Sequence, residues 1–204
     1  MKKMPCLFKR EFHDKSSFTI LPEVTPGCEW ALLGEGAVTR KWDGTACMIK
    51  DGVLYKRYDA KKDRQTGNYK LPPAGAIPCD DPDPVTGHWP HWVAVGDEPE
   101  SRWHREAIRE CADGTYELCG PKINGNHEGF DRHVLIRHTG EKPLGVGTNA
   151  WARTCRRFDS IKLLLEALPW EGIVFHHPDG RMCKIRRRDF GLEWPVKIVL
   201  EEQP

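Results

Sequence analysis

The stretch Ala37-Val38-Thr39-Arg40-Lys41-Trp42-Asp43-Gly44-Thr45-Ala46-Cys47-Met48-Ile49 mixes β-branched and apolar residues with polar ones at strand-like spacing. Lys50-Asp51-Gly52 then supplies a tight turn, and Val53-Leu54-Tyr55-Lys56-Arg57 reads as the returning strand, so the segment predicts an antiparallel hairpin. A second hairpin is written near the other end of the chain, where Gly172–His176 and Met182–Arg186 flank Pro178-Asp179-Gly180. Helical spacing relates Trp103, Ala107, Ile108 and Cys111 between Glu100 and Cys111, and Asp113-Gly114 separates that helix from a strand over Thr115–Cys119. Phe158, Ile161, Leu164, Leu165 and Leu168 make a clearer apolar stripe, with Asp159 or Ser160 as cap and Pro169 as terminator. Lys61–Gly67 is polar and reads as loop, and Leu71–Gly87, rich in Pro, Gly and Asp, reads as an irregular surface excursion. Strands dominate and two helices accompany them, so the expected class is α+β with antiparallel sheets and a few flanking helices.

With 204 residues, the chain has the size of one large domain, and a single core is expected over 1–204. Its 39% hydrophobic content, with 8 Trp, 7 Phe and 4 Tyr, is enough to build that core and excludes compositional disorder. No stretch approaches the ~18 consecutive apolar residues that a spanning helix needs, and no apolar run follows Met1-Lys2-Lys3-Met4-Pro5, which argues against membrane insertion and secretion. The eight cysteines are scattered singly in a chain too long to need staples, so they are expected to be reduced, mostly small core residues, in an intracellular, cytoplasmic protein. No Cys-x-x-Cys pair occurs, and His176-His177 has no cysteine at finger spacing, which argues against a structural zinc site.

The net charge of +1 hides an uneven distribution. Pro78–Glu100 holds six acids and no Lys or Arg, whereas Trp151–Gly191 holds nine bases against five acids. The basic segment suits polyphosphate or nucleic acid, and Arg153, Arg156, Arg157, Arg187 and Arg188 are its candidate phosphate contacts. The bland alternative is a solvated surface.

Chemistry concentrates at Lys41-Trp42-Asp43-Gly44 and its companions Lys56-Arg57, Tyr116-Glu117-Leu118-Cys119-Gly120, Glu171-Gly172-Ile173-Val174-Phe175 and Lys184-Ile185-Arg186. An unprotonated lysine can attack the α-phosphorus of a nucleoside triphosphate, but at a reference pKa of ~10.4 lysine is charged at neutral pH, so nearby cations are needed to disfavour the lysinium. Lys184 and Arg186 lie two apart on a strand and point to one face, where they can do this and also bind the α-phosphate. Glu171 and Ile173 are expected to share a face of the partner strand, bringing a carboxylate to the same pocket to hold Mg²⁺ or Mn²⁺. A basic strand edge that deters aggregation is the alternative for Lys184–Arg188.

In this order the segments resemble the motifs of the covalent nucleotidyltransferases, the superfamily of polynucleotide ligases and mRNA capping enzymes. Met4–Phe8, preceded by Lys3, together with Lys41–Cys47, His88–Val93, Leu118–Asn126, Glu171–His176, Asp179-Gly180, Gly191-Leu192 and Trp194-Pro195, are similar to those of the vertebrate RNA 5′-phosphate and 3′-hydroxyl ligases. The resemblance implies an antiparallel-sheet nucleotidyltransferase domain, the ATP-grasp-like adenylation domain of ligases. It implies an ATP-dependent RNA ligase, active in RNA repair, that works through a lysyl-AMP intermediate with Mg²⁺ or Mn²⁺ and acts on RNA ends, with the five arginines above as its RNA phosphate contacts; no obligate protein partner is evident. Lys41 is then the nucleophile, Asp43 and Gly44 belong to the nucleotide site, Arg57 contacts ribose or phosphate, and Glu117 accepts from a ribose hydroxyl. Glu171 assists metal and lysine, Lys184 binds the α-phosphate, and Arg186 is the second cation of the last motif, where many ligases have Lys. Arg40 stands where ligases often have Glu, and Ile136 and His138 are candidates for stacking on the base.

Guanylyltransferase capping and DNA ligation are the alternatives within the enzyme class. Those enzymes carry an oligonucleotide-binding domain after the last motif, and Asp189–Pro204 is too short for one, so no such C-terminal OB-fold is expected in this chain. From another class, the chain could be an inactive RNA-binding protein with a ligase fold; intact Lys41, Glu117, Glu171 and Lys184 argue against it.

Overall fold

The computed structural model describes residues 3–14, 17–63, 65–83, 87–138 and 156–196. In chain order the strands are β1 (Phe8–Phe12), β2 (Phe18–Val24), β3 (Ala37–Lys41), β4 (Thr45–Lys50), β5 (Val53–Lys61), β6 (Ile77–Pro78), β7 (His88–Ala94), β8 (Gly114–Cys119), β9 (Val134–Arg137), β10 (Gly172–His176) and β11 (Met182–Arg186). The α-helices are α1 (Glu29–Leu32), α2 (Arg102–Ala107) and α3 (Phe158–Ala167), and every strand pairing within the sheets is antiparallel. The protein is thus α+β with few helices. None of its described helices is long and apolar enough to cross a membrane.

The chain folds into two compact units, one of Met4–Trp42 with Lys142–Pro204 and the other of Asp43–Glu141 with Met1–Lys3. Length alone favours one core; the described residues build two, because the run from Ala37 to Ile49 is two strands belonging to different sheets. The break falls at Trp42-Asp43-Gly44, where polar and glycine residues interrupt the strand pattern.

In the first unit a sheet of order β11-β10-β3 buries one face. Alternation puts Val38, Ile173, Phe175, Cys183 and Ile185 on that face, all at most 2% exposed. Helix α3 covers them with Ile161 and Leu165, spaced four residues apart and fully buried. Phe158 at its start meets Phe8 and Phe190 edge to face at 5.0 and 5.1 Å. Each such aliphatic or aromatic side chain contributes about 1.5–3 kcal/mol by its burial. The cap of α3 is Arg157 rather than Asp159 or Ser160, and it makes no side-chain capping bond; the helix gives way to extended backbone at Leu168, as the following proline requires. β1 and β2 form a separate two-stranded sheet, and residues 5–7 run along β11, with Lys184 N donating to Pro5 O (3.0 Å) and Leu7 N to Lys184 O (2.7 Å).

The other unit is a six-stranded sheet of order β6-β7-β5-β4-β8-β9 over a core of Cys47, Ile49, Leu54, Ala107, Tyr116 and Leu118. The β4–β5 turn has positive φ at Asp51 (52°) and Gly52 (74°), as the twist of a two-residue hairpin demands. The helix expected over 100–111 shrinks to α2 with a preceding 3-10 turn, since Ile108 is 41% exposed and its backbone extended. The seven described cysteines are free, with Cys28, Cys47, Cys119 and Cys183 buried; Cys155 lies outside the described residues.

Candidate functional site

Strand register assembles the cationic group. Gly172 of β10 is paired with Lys41 of β3 on one side and Arg186 of β11 on the other, and Val174 is paired with Thr39 and Lys184 in the same way. Residues directly opposite share a face, as do residues two apart, so Lys41, Lys184 and Arg186 project together from the face turned away from the apolar core. Gly172 is required between them: a Cβ there would lie 2.3 Å from Ile185 O and 2.8 Å from Arg186 Cα.

Glu171 reaches this face by a route that alternation does not predict. Ile173 points into the core, so a carboxylate sharing its face would be on the wrong side. Glu171 lies just before β10, outside the regular pleat, and its Oε2 accepts from Lys41 Nζ. Lys41 also donates to Trp42 O at 3.2 Å, and the ion pair is largely enclosed, with side-chain exposures of 16% for Lys41 and 10% for Glu171. Burial, reinforced by the positive charges of Lys41 and Arg186, drives Lys184 down to about 8; Glu171 acts in the opposite sense. Arg40, on the core-side alternation of β3, stacks over Trp42 at 3.9 Å and Trp170 at 5.6 Å.

Asp189 stands beside these cations although no motif in the sequence singles it out. Its side chain has no exposed surface, and it accepts from Arg186 N (2.9 Å), Nε (3.3 Å) and Nη2 (2.9 Å) and from Arg10 Nη2 (2.7 Å). The capping box that closes the turn after β11 is the local signal that could have revealed it, since an Asp three residues after Arg186 returns its carboxylate to the Arg186 backbone.

The remaining expected residues belong to the other unit. Asp43 accepts from Asn124 Nδ2 (3.0 Å), is bonded to His127 Nδ1 (3.0 Å), and its N–H donates to Glu128 Oε1 (2.9 Å). Asn124 also donates to Gly44 O at 2.8 Å. Asn124, Gly125 and Asn126 carry three successive positive φ values, which asparagine and glycine tolerate best. A Cβ on Gly44 would lie 2.3 Å from Leu118 O and 2.7 Å from Glu117 Cγ, so β8 leaves no room for a side chain. Glu117 is bonded to His138 Nε2 at 2.9 Å and stands opposite Ile136 in the β8–β9 register, so both proposed base-stacking candidates flank it. Arg57 donates to Asp59 Oδ1 at 3.1 Å and lines a cavity of about 400 Å³ with Asp80, Asp81, Asp83 and His88.

Among the RNA candidates, neighbours in sequence part company. Arg156 is 4% exposed and donates to the carbonyls of Ala31 (2.9 Å), Glu35 (2.5 Å) and Gly36 (2.9 Å). Arg187 is 7% exposed and donates to Leu165 O, Leu168 O (2.9 Å) and Glu193 O (2.8 Å). These two guanidiniums satisfy backbone acceptors inside the fold, which removes them from the phosphate-facing set. Arg157 and Arg188 are exposed, and Arg153 lies outside the described residues.

Fold and site together define an α+β protein whose antiparallel sheet presents two lysines, an arginine and a glutamate on one face, a set suited to an anionic substrate. No family model matches the chain. Over 94 residues it is 31% identical to RNA ligase 1 of the zebrafish Danio rerio, a match covering 44% of this chain and 28% of that protein.

Proposed function

We propose that the chain is an ATP-dependent RNA ligase whose Lys41 carries the nucleotide, within a nucleotidyltransferase adenylation domain. The observation that carries the reading is the convergence of Lys41, Glu171, Lys184 and Arg186 on one sheet face, with Glu171 directly bonded to the lysine ammonium. Similarity to an RNA ligase supplies the substrate class. In the first step Glu171 takes a proton from Lys41, and Nζ forms a bond to the α-phosphorus of ATP while the bond to the β-phosphate oxygen breaks and pyrophosphate leaves. Lys184 and Arg186 hold the α-phosphate as its charge grows. The AMP then passes to an RNA 5′-phosphate, whose attack releases Lys41, and a 3′-hydroxyl displaces AMP to close the phosphodiester. Glu117 is assigned to a ribose hydroxyl, Arg57 to ribose or phosphate, and Arg157 and Arg188 to the RNA backbone.

The described residues contain no group of three or more His, Cys, Asp or Glu that could hold a metal ion. Asp189 is committed to two guanidiniums and Glu171 to Lys41, so Glu171 would be offered to Mg²⁺ or Mn²⁺ only in the ionised form and once its bond to the Lys41 ammonium is given up, with phosphate oxygens and water completing the shell. When bound, the cation would neutralise phosphate charge. A single protein carboxylate fits that mode of binding.

The test is intact mass after incubation with ATP or GTP and Mg²⁺ or Mn²⁺, followed by joining of a 5′-phosphorylated RNA. An added AMP lost on Lys41→Ala supports the ligase; an added GMP indicates a capping enzyme; no adduct with either nucleotide overturns both in favour of a binding protein.

A further inference from the structure

The Asp189 carboxylate is shared by two guanidiniums that come from distant parts of the chain. Arg186 brings Nε, Nη2 and its backbone N–H, and Arg10 brings Nη2. Arg186 with its capping box already satisfies both Asp189 oxygens, so the second guanidinium is not needed to neutralise the carboxylate. Arg10 of β1 is half-buried between exposed Lys9 and Glu11, past an irregularity in the β1–β2 register, and stacks on the Phe18 ring at 4.7 Å. Its Nε is buried without a hydrogen-bond partner, and its charge adds to the field that acts on Lys184. Residues 5–7, bonded on both sides to the Lys184 backbone, fix where β1 departs.

Around one sheet face and its edge, then, Arg10, Lys41, Lys184 and Arg186 stand against Glu171 and Asp189, leaving two positive charges in excess among these six groups. Gathering like charges in an enclosed place is costly, and a polyanion offsets that cost. A guanidinium has five N–H donors, and the bond to Asp189 takes one of Arg10's.

We propose that Arg10 is a further phosphate-binding residue and that Asp189 is the positioning residue that aims Arg10 and Arg186 together at the phosphates of a nucleoside triphosphate. This rests on the adenylation reading for its substrate, and the N-terminal β-hairpin thereby becomes part of the nucleotide site.

Calorimetric titration of the full chain with inorganic pyrophosphate tests the clamp, alongside KM and kcat for adduct formation from ATP. Arg10→Gln is expected to weaken pyrophosphate about tenfold and to raise the KM for ATP, with kcat changed less, and Arg10→Lys, which keeps the charge but loses the fork, is expected to fall between. Asp189→Asn separates positioning from net charge. Losing a negative charge should by field alone tighten pyrophosphate, whereas losing the clamp weakens it and lowers kcat. Tighter or unchanged binding in Asp189→Asn overturns its positioning role. Unchanged binding in Arg10→Gln, or no pyrophosphate binding by the wild type, overturns the site. A melting curve shows whether Asp189→Asn folds; if it does not, Arg10→Gln and Arg10→Lys decide. Should the wild type form no adduct with any nucleotide while still binding pyrophosphate through Arg10, the adenylation reading fails and the anion clamp stands.

Discussion

Replacing Lys184 by methionine, which keeps the length of the side chain and removes its charge, should make the protein more stable at neutral pH while damaging its chemistry. Burial and the neighbouring cations bring Lys184 from 10.5 to about 8 in the folded protein. Because the folded value lies below the unfolded one, the unfolded chain binds a proton that the folded protein does not as pH falls from 10.5 to 8. The native state therefore loses stability across that window, and the loss is complete below about pH 8. At ~1.36 kcal/mol per unit, a fall from 10.5 to about 8 corresponds to about 3 kcal/mol. Urea unfolding of wild type and Lys184→Met at pH 7, 9 and 10.5 measures it, since the titrations of groups that do not interact with Lys184 cancel in the difference between the two proteins. The advantage of the variant should grow by about 3 kcal/mol from pH 10.5 to pH 8 and then stay level. A difference that is flat with pH, or that grows towards high pH, would refute the account of Lys184. The same variant should lose ~10²–10³-fold in adduct formation, as when a preorganised donor to a developing charge is removed.

Lys41→Ala should abolish the nucleotide adduct and RNA joining, with no rescue by arginine, as intact mass and a gel assay would report. It should also cost stability, because Glu171 is left enclosed without its ammonium partner; in a double-mutant cycle, Lys41→Met with Glu171→Gln should be closer to wild type than the sum of the single changes. Arg156→Ala and Arg187→Ala should each lose ~2–4 kcal/mol in denaturant unfolding, since buried carbonyls lose their donors. Arg157→Ala and Arg188→Ala should leave unfolding unchanged but weaken RNA binding and lower the log–log salt slope by ~0.7 for each phosphate that is no longer neutralised. Glu117→Ala should cost ~1.5–3 kcal/mol in adduct formation at subsaturating ATP; equal yields would remove it from the nucleoside site.

Local pattern was enough to place the hairpin of β10 and β11, the β4–β5 turn, the strand β8 and the apolar stripe of α3, because periodicity and turn chemistry are properties of a few consecutive residues. It was also enough to put Lys184 and Arg186 on one face, for alternation along a strand is fixed by the backbone. Pairing was not legible. That Lys41 and Arg186 meet across Gly172 depends on β10 lying between β3 and β11, a choice made by burial of Val38, Ile173, Phe175 and Ile185 against α3. Glu171 was placed by sequence on the alternation of Ile173, which is the core side; only its position outside the pleat brings it to Lys41. The division of the arginines shows the same limit. Arg156 and Arg157, or Arg187 and Arg188, are alike as a charge count, yet one of each pair is enclosed among carbonyls and the other exposed. Composition and order determine which chemical groups are available and which local shapes they take. Which groups face each other, and which are kept from water, is decided by contacts between residues as far apart as Arg10 and Asp189, whose energies no local pattern encodes.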